Sequence, residues 1–164
     1  RRSLATAVTS PLPVTTEAEK PQPPGRGGAA AKTVAESEAE LLRLLNRDRA
    51  AAGLPKLAQE DRLGRIARAH SEEMAKKRSV FHHSPTTGTP EDRVKRAKIK
   101  NTIIAENLAQ APTEEEAERS LMDSPGHRRN ILDPSITKVG IGVAFQKSPS
   151  GGLQLYVTQL FIGD

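Results

Sequence analysis

From about Glu36 onward, apolar residues recur every three or four positions, the period of an amphipathic helix. In ESEAELLRLLNRDRAAAG, Leu41, Leu42, Leu44 and Leu45 form one stripe, and Gly53 stands where a helix C-terminal cap would. LPKLAQED turns the chain. A second helix is expected from about Gln59 to Arg78, with Leu63, Ile66, Ala67, His70, Met74 and Ala75 at helical spacing. VFHHSPTTGTP reads as a loop, closed by Thr89-Pro90-Glu91, a helix start with proline at the first helical position. That helix is short and runs to about Lys98. TIIAENLA is short and mixed in pattern. Thr113 then caps a further helix opened by Glu114, Glu115 and Glu116, acids that suit a helix N-terminus. The last stretches, 138–146 and 152–161, are rich in β-branched and aromatic residues with partial alternation. Leu153, Leu155, Val157 and Phe161 share a face, and KSPSGG between the stretches is a hairpin-type loop. Helices first and an antiparallel pair last predict a layered α+β domain.

The first 35 residues break this pattern. SPLPVTTEAEKPQPPGRGG carries five of the twelve prolines and no apolar period, which predicts a disordered basic linker or the remnant of an export segment. Residues 36–164 are the expected folded domain. The chain, which does not start with Met, is expected to be a processed or truncated product, with RRSLATAV lacking a full signal core. The 164 residues suffice for one core, which must be aliphatic because the chain has one Tyr, three Phe and no Trp. The formal charge is +5, of which residues 1–35 hold +3 through five basic and two acidic side chains. A near-neutral body without aromatics interleaved among basic residues argues against nucleic-acid binding. The absence of cysteine excludes disulfides, thiol nucleophiles and thiolate metal sites together.

Chemistry is concentrated in a few polar residues. His70 falls on the apolar face of the second helix, where a packed, hydrogen-bonded imidazole is the ordinary outcome. His82 and His83 are adjacent, so in an extended stretch their side chains point to opposite sides and one at most lines a given cleft. In SPGHRRNIL, Ser124 is an N-cap candidate and Pro125 the first helical residue, so His127 sits in the first turn. The positive end of the helix dipole disfavours imidazolium and leaves a lone pair for a ligand or a proton. The alternative is a plain helix start with a surface histidine. Glu106, between Ile103-Ile104 and Leu108, is a carboxylate in apolar company and needs a partner, whether imidazole, metal or backbone. The separations among His82 or His83, Glu106 and His127 match no compact metal motif, so spacing alone assigns no metal.

In order, LLRLLNRDRAAAGLPKL, IARAHSEEMA, FHHSPTTG, AENLAQ, SLMDSPGHRRNIL, VGIGVAF and VTQLF resemble the CAP superfamily of cysteine-rich secretory, antigen 5 and pathogenesis-related class 1 proteins. The resemblance covers about residues 37–162 and is strongest to the cysteine-free bacterial branch. It implies a three-layer α-β-α sandwich with a small, mainly antiparallel sheet, in which the AENLAQ region is a candidate strand. It also implies a cleft with a histidine from the His-Ser-Pro loop, His82 or alternatively His83, together with Glu106 and the Gly-His residue His127. These three would bind Zn²⁺ or another divalent metal with water in an open position. Ser124 stands where animal members carry a second acid, with Asp123 one residue away and Glu118 further back. Asn107, Pro125, Gly126 and Asn130 complete the motifs as structural residues. The implied protein is a secreted or surface-tethered monomer without catalytic activity, binding a metal, lipid, peptide or protein partner. A metal-dependent or histidine-based hydrolase and a structural adhesion module are the alternatives.

Overall fold

The computed structural model describes residues 31–164 and the backbone of residues 2–3 and 7–8. The expected linker therefore lies mostly outside the described residues. Its two described pieces, β1 (Arg2–Ser3) and β2 (Ala7–Val8), pair in parallel with β4.

Helix α1 (Val34–Ala51) opens on a reciprocal capping box in which Thr33 accepts from the Glu36 amide and Glu36 accepts from the Thr33 amide. It is followed by Gly53 in the left-handed region at φ 74°. The short strand β3 (Ala58–Gln59) leads into α2 (Asp61–Lys77), which ends at Arg78 with φ 51°. Helix α3 (Pro90–Arg96) has the expected start, with Thr89 and Asp92 forming a second capping box. Strand β4 (Ile103–Ala111) confirms the AENLAQ region as a strand. Helix α4 (Glu114–Asp123), capped by Thr113, runs through Ser124 directly into α5 (Pro125–Ile131). Strands β5 (Lys138–Lys147) and β6 (Leu153–Gly163) form the predicted hairpin.

The sheet order is β1-β4-β6-β5-β3, with β2 also on β4. The three long strands are antiparallel and the short outer pairings are parallel. Helices cover both faces, giving the α-β-α sandwich. Leu41 and Leu45 of α1, Leu121 of α4 and Ile131 of α5 pack with Val139, Ile141, Val143, Leu155, Val157 and Phe161. On the opposite face α2 and α3 bring Leu63, Ala67 and Val94 against Ile104, Leu160 and Ile162. Leu153, on the same face as Leu155, Val157 and Phe161, is half-exposed at the strand's start.

Two glycines bring α2 unusually close. A Cβ on Gly140 would lie 2.2 Å from the Leu63 carbonyl carbon, and one on Gly142 would lie 2.1 Å from that of Ala67. The two layers are also clamped across β5: Glu38 of α1 accepts from the Val143 amide at 3.2 Å and from the guanidinium of Arg68 on α2. That carboxylate occupies a backbone donor that a sheet edge would otherwise present to solvent.

Candidate functional site

Strand β4 is buried on both faces, and its neighbours Glu106 and Asn107 point into different layers. Each anchors a polar group. On the α2–α3 side, Glu106 is fully buried and takes three contacts: Arg93 Nη1 at 2.8 Å, Arg93 Nη2 at 3.2 Å and His82 Nδ1 at 2.9 Å. The second Arg93 Nη2 contact, to the His82 carbonyl at 2.9 Å, ties the loop to the same guanidinium. A carboxylate ion-paired with Arg93 only accepts, so His82 Nδ1 is the donor of that contact, and in the neutral ring Nε2 is then the acceptor. That Nε2 is buried with no hydrogen-bond partner. His83 is exposed, and it is His82 that meets Glu106.

His70 lies beside this group. Its Nε2 donates to the Phe81 carbonyl at 2.7 Å and its ring meets Phe81 edge-on, so Nδ1 is an acceptor, and it has no partner. Burial, with the positive charge of Arg93 adding to it, holds the imidazole below its usual range despite the opposing pull of Glu106. Ser84 Oγ donates to Glu73 at 2.7 Å and accepts from the Thr86 and Thr87 amides, which fixes the loop that carries His82.

On the other side of β4, Asn107 Nδ2 donates to the His127 carbonyl and to Gln159 Oε1, both at 3.1 Å, and Asn107 Oδ1 accepts from Asn130 Nδ2 at 2.9 Å. Gln159 Nε2 in turn donates to Glu118 Oε2 at 2.7 Å. Glu118 is fully buried and its Oε1 has no partner. Burial pushes its carboxyl up to about 8, against the hydrogen bond from Gln159 and with a smaller upward push from Asp48. His127 is buried in the first turn of α5, as expected. Ser124 occupies the N-cap position, but its hydroxyl makes no capping bond; it is also the last cap of α4, where its amide donates to Leu121. Pro125 and Gly126 fill the first two helical positions, and Asp123 is exposed.

The structure thus joins His82 to Glu106 and Asn107 to Asn130. His127 comes from α5, tied to the Asn107 side of β4 through its carbonyl. Among the described residues no three His, Asp or Glu side chains are gathered as a metal-ligand set. His82 Nε2, oriented by a carboxylate, has the form of one ligand. Both Glu106 oxygens, however, are engaged by Arg93 and His82, so the residues as placed do not fit a three-ligand metal centre. Arg93, Gln159 and Glu118 are the members that sequence reasoning passed over or set aside. Arg93 looks like one of several charges on a short helix until a buried carboxylate is placed beside it.

A cysteine-free three-layer sandwich with a buried Glu–His–Arg group on its edge-side strand is the class of protein that this fold and site define. Residues 42–161 match the model of the CAP, cysteine-rich secretory protein family, and the chain belongs to that family. It is 37% identical over 136 residues to YkwD of Bacillus subtilis, covering 82% of this chain and 50% of that protein. It is 31% identical over 108 residues to the membrane protein YlbC of the same organism, covering 65% and 31%. The chain spans half or less of these relatives. Among solved structures, an extracellular protein of Bacillus anthracis containing an SCP domain is similar with TM-score 0.69 and 28% identity, over 84% of this chain and 45% of that one. An outer surface protein of Borrelia burgdorferi shares the fold with TM-score 0.67 at 18% identity, over 81% and 97%. No helix among the described residues is long and apolar enough to cross a membrane.

Proposed function

We propose that this chain is a non-catalytic binding domain working outside the cytoplasm, and that its recognition centre is the His82–Glu106–Arg93 group. The observation that carries the reading is His82 Nε2, a buried acceptor without a partner, oriented by Glu106. A buried acceptor left unmatched is costly, and a ligand offering a hydrogen-bond donor removes that cost. The extracellular SCP-domain protein of Bacillus anthracis supports the placement outside the cytoplasm. The non-catalytic reading rests on Arg93. Its guanidinium contacts both oxygens of Glu106, which keeps the carboxylate engaged within the fold. The hydroxyl two residues on, Ser84, gives its proton to Glu73 and not to the imidazole.

The test is a thermal-shift series on the chain and on His82→Ala, using Zn²⁺, a medium-chain fatty acid and amide-capped short peptides. An organic ligand should raise the melting temperature as RT ln(1 + [L]/Kd) prescribes, and His82→Ala should lose the shift. Saturable zinc binding that disappears in His127→Ala would replace this reading with a metal centre. A series in which no ligand acts through His82 would refute it.

A further inference from the structure

Beside the Glu106 group, α2, α3 and the intervening loop enclose a second feature, a cavity of about 340 Å³. One wall is apolar, made by half-buried Ile66 and solvent-facing Ala69 of α2 and by half-buried Ala97 at the end of α3. Two side chains more than nine-tenths buried line it and each carries a polar atom without a partner: His70 Nδ1, an acceptor, and Arg93 Nε, a donor. At the rim stands Arg96, exposed; the charge of Arg96 acts on the Asp92 carboxylate one turn away, but no salt bridge at 4 Å or less joins them. Its hydrogen bonds are two contacts to the Thr87 carbonyl at 3.4 Å, long for a guanidinium. Glu73 also lines the cavity, but Lys77 Nζ at 2.9 Å and Ser84 Oγ at 2.7 Å occupy its carboxylate.

We propose that this cavity binds an apolar residue bearing a free carboxylate, as at the C-terminus of a peptide. Each part of the wall matches one part of that ligand. Arg96 and Arg93 Nε face the carboxylate, the side chain rests on Ile66, Ala69 and Ala97, and the amide N–H donates to His70 Nδ1. The low pKa of His70 keeps that nitrogen unprotonated. The volume stands at the small end of the range for ligand pockets, which suits one residue better than a sterol or a long acyl chain. The inference stands apart from the reading above because it does not require His82.

The experiment is an amide-resonance NMR titration of the whole chain with N-acetyl-leucine, N-acetyl-leucinamide and hexanoate. N-acetyl-leucine should bind at one saturable site, moving resonances of α2 and α3. The amide, lacking the charge, should bind roughly tenfold more weakly or worse, and Arg96→Gln should weaken the acid by a similar factor. Ala69→Phe, which fills the cavity from a solvent-facing helix position, should abolish binding while preserving the spectrum of the fold. His82→Ala should leave binding intact, so failure of the His82 centre and failure of this site are separable. Absence of saturable binding, equal binding of acid and amide, or binding that survives Ala69→Phe would each overturn the proposal. Equal binding of hexanoate would overturn the role given to His70 and assign the cavity to free acyl chains.

Discussion

Glu118 makes the stability of the fold depend on pH. Its carboxyl is buried under α1, with Asp48 and Arg47 nearby, bonded at one oxygen to Gln159 and unpartnered at the other. The folded-state value, about 8, lies above the ordinary 4.5. Between these pH values the folded chain therefore retains a proton that the unfolded chain has lost. The stabilisation from this group is complete below the lower value and declines as pH rises through the upper one. Across the whole interval the decline amounts to about 5 kcal/mol. Between pH 6 and pH 9 it is about 3 kcal/mol, which for a domain of this size lowers the melting temperature by on the order of 10 °C. Glu118→Gln keeps the acceptor for Gln159 Nε2 and cannot ionise. Urea and thermal unfolding of both proteins at unit pH steps from 6 to 9 check this. The difference between them cancels the histidines, which both proteins share. The variant should already lead the parent by about 2 kcal/mol at pH 6, the part of the loss incurred between 4.5 and 6, and by about 5 kcal/mol toward pH 9. Parallel profiles, or a parent that gains on the variant as pH rises, would refute the reasoning.

Two further outcomes follow from the packing. Arg93→Ala leaves Glu106 as a buried, uncompensated carboxylate and should cost about 3–5 kcal/mol, measured by urea unfolding; Glu106→Gln added to it should recover part of the loss. Gly142→Ala places a methyl 2.1 Å from the backbone of Ala67, which no side-chain rotation relieves; forcing α2 off the sheet should cost roughly 3 kcal/mol or more by calorimetry.

The longer helices were legible because each buries one stripe, and α3 and α4 begin on caps that the sequence marks, Thr89 and Thr113. Strand β4 was not legible from periodicity. Both its faces are covered, so Ile104, Ala105, Leu108 and Ala109 are all inside and the alternation that marks a half-exposed strand disappears. Only the family resemblance pointed to it. The candidate site divided similarly. Glu106 announced itself as a carboxylate in apolar company, and His82 as one of two loop histidines. The guanidinium that completes the group comes from a surface-looking helix, and the amide chain through Gln159 to Glu118 spans residues 52 and 41 positions apart in sequence. Such partnerships depend on which residue of β4 faces which layer, information that local spacing does not hold.

Because Glu106 and Asn107 are consecutive, inserting or deleting a single residue upstream within β4 exchanges their faces. The carboxylate would then enter the amide chain beside Glu118, placing two acids together. The amide would meet Arg93 and leave a buried cation without a counterion. An ordinary strand slipped by one residue misplaces greasy side chains and meets a graded loss. Here the slip also creates two charge faults at once, one of each sign, on opposite sides of the same backbone. The pairing of β4 with β6 is thereby proofread by electrostatics as well as by packing. Lineages carrying this dipeptide should tolerate length changes in the turns around β4 and not within it.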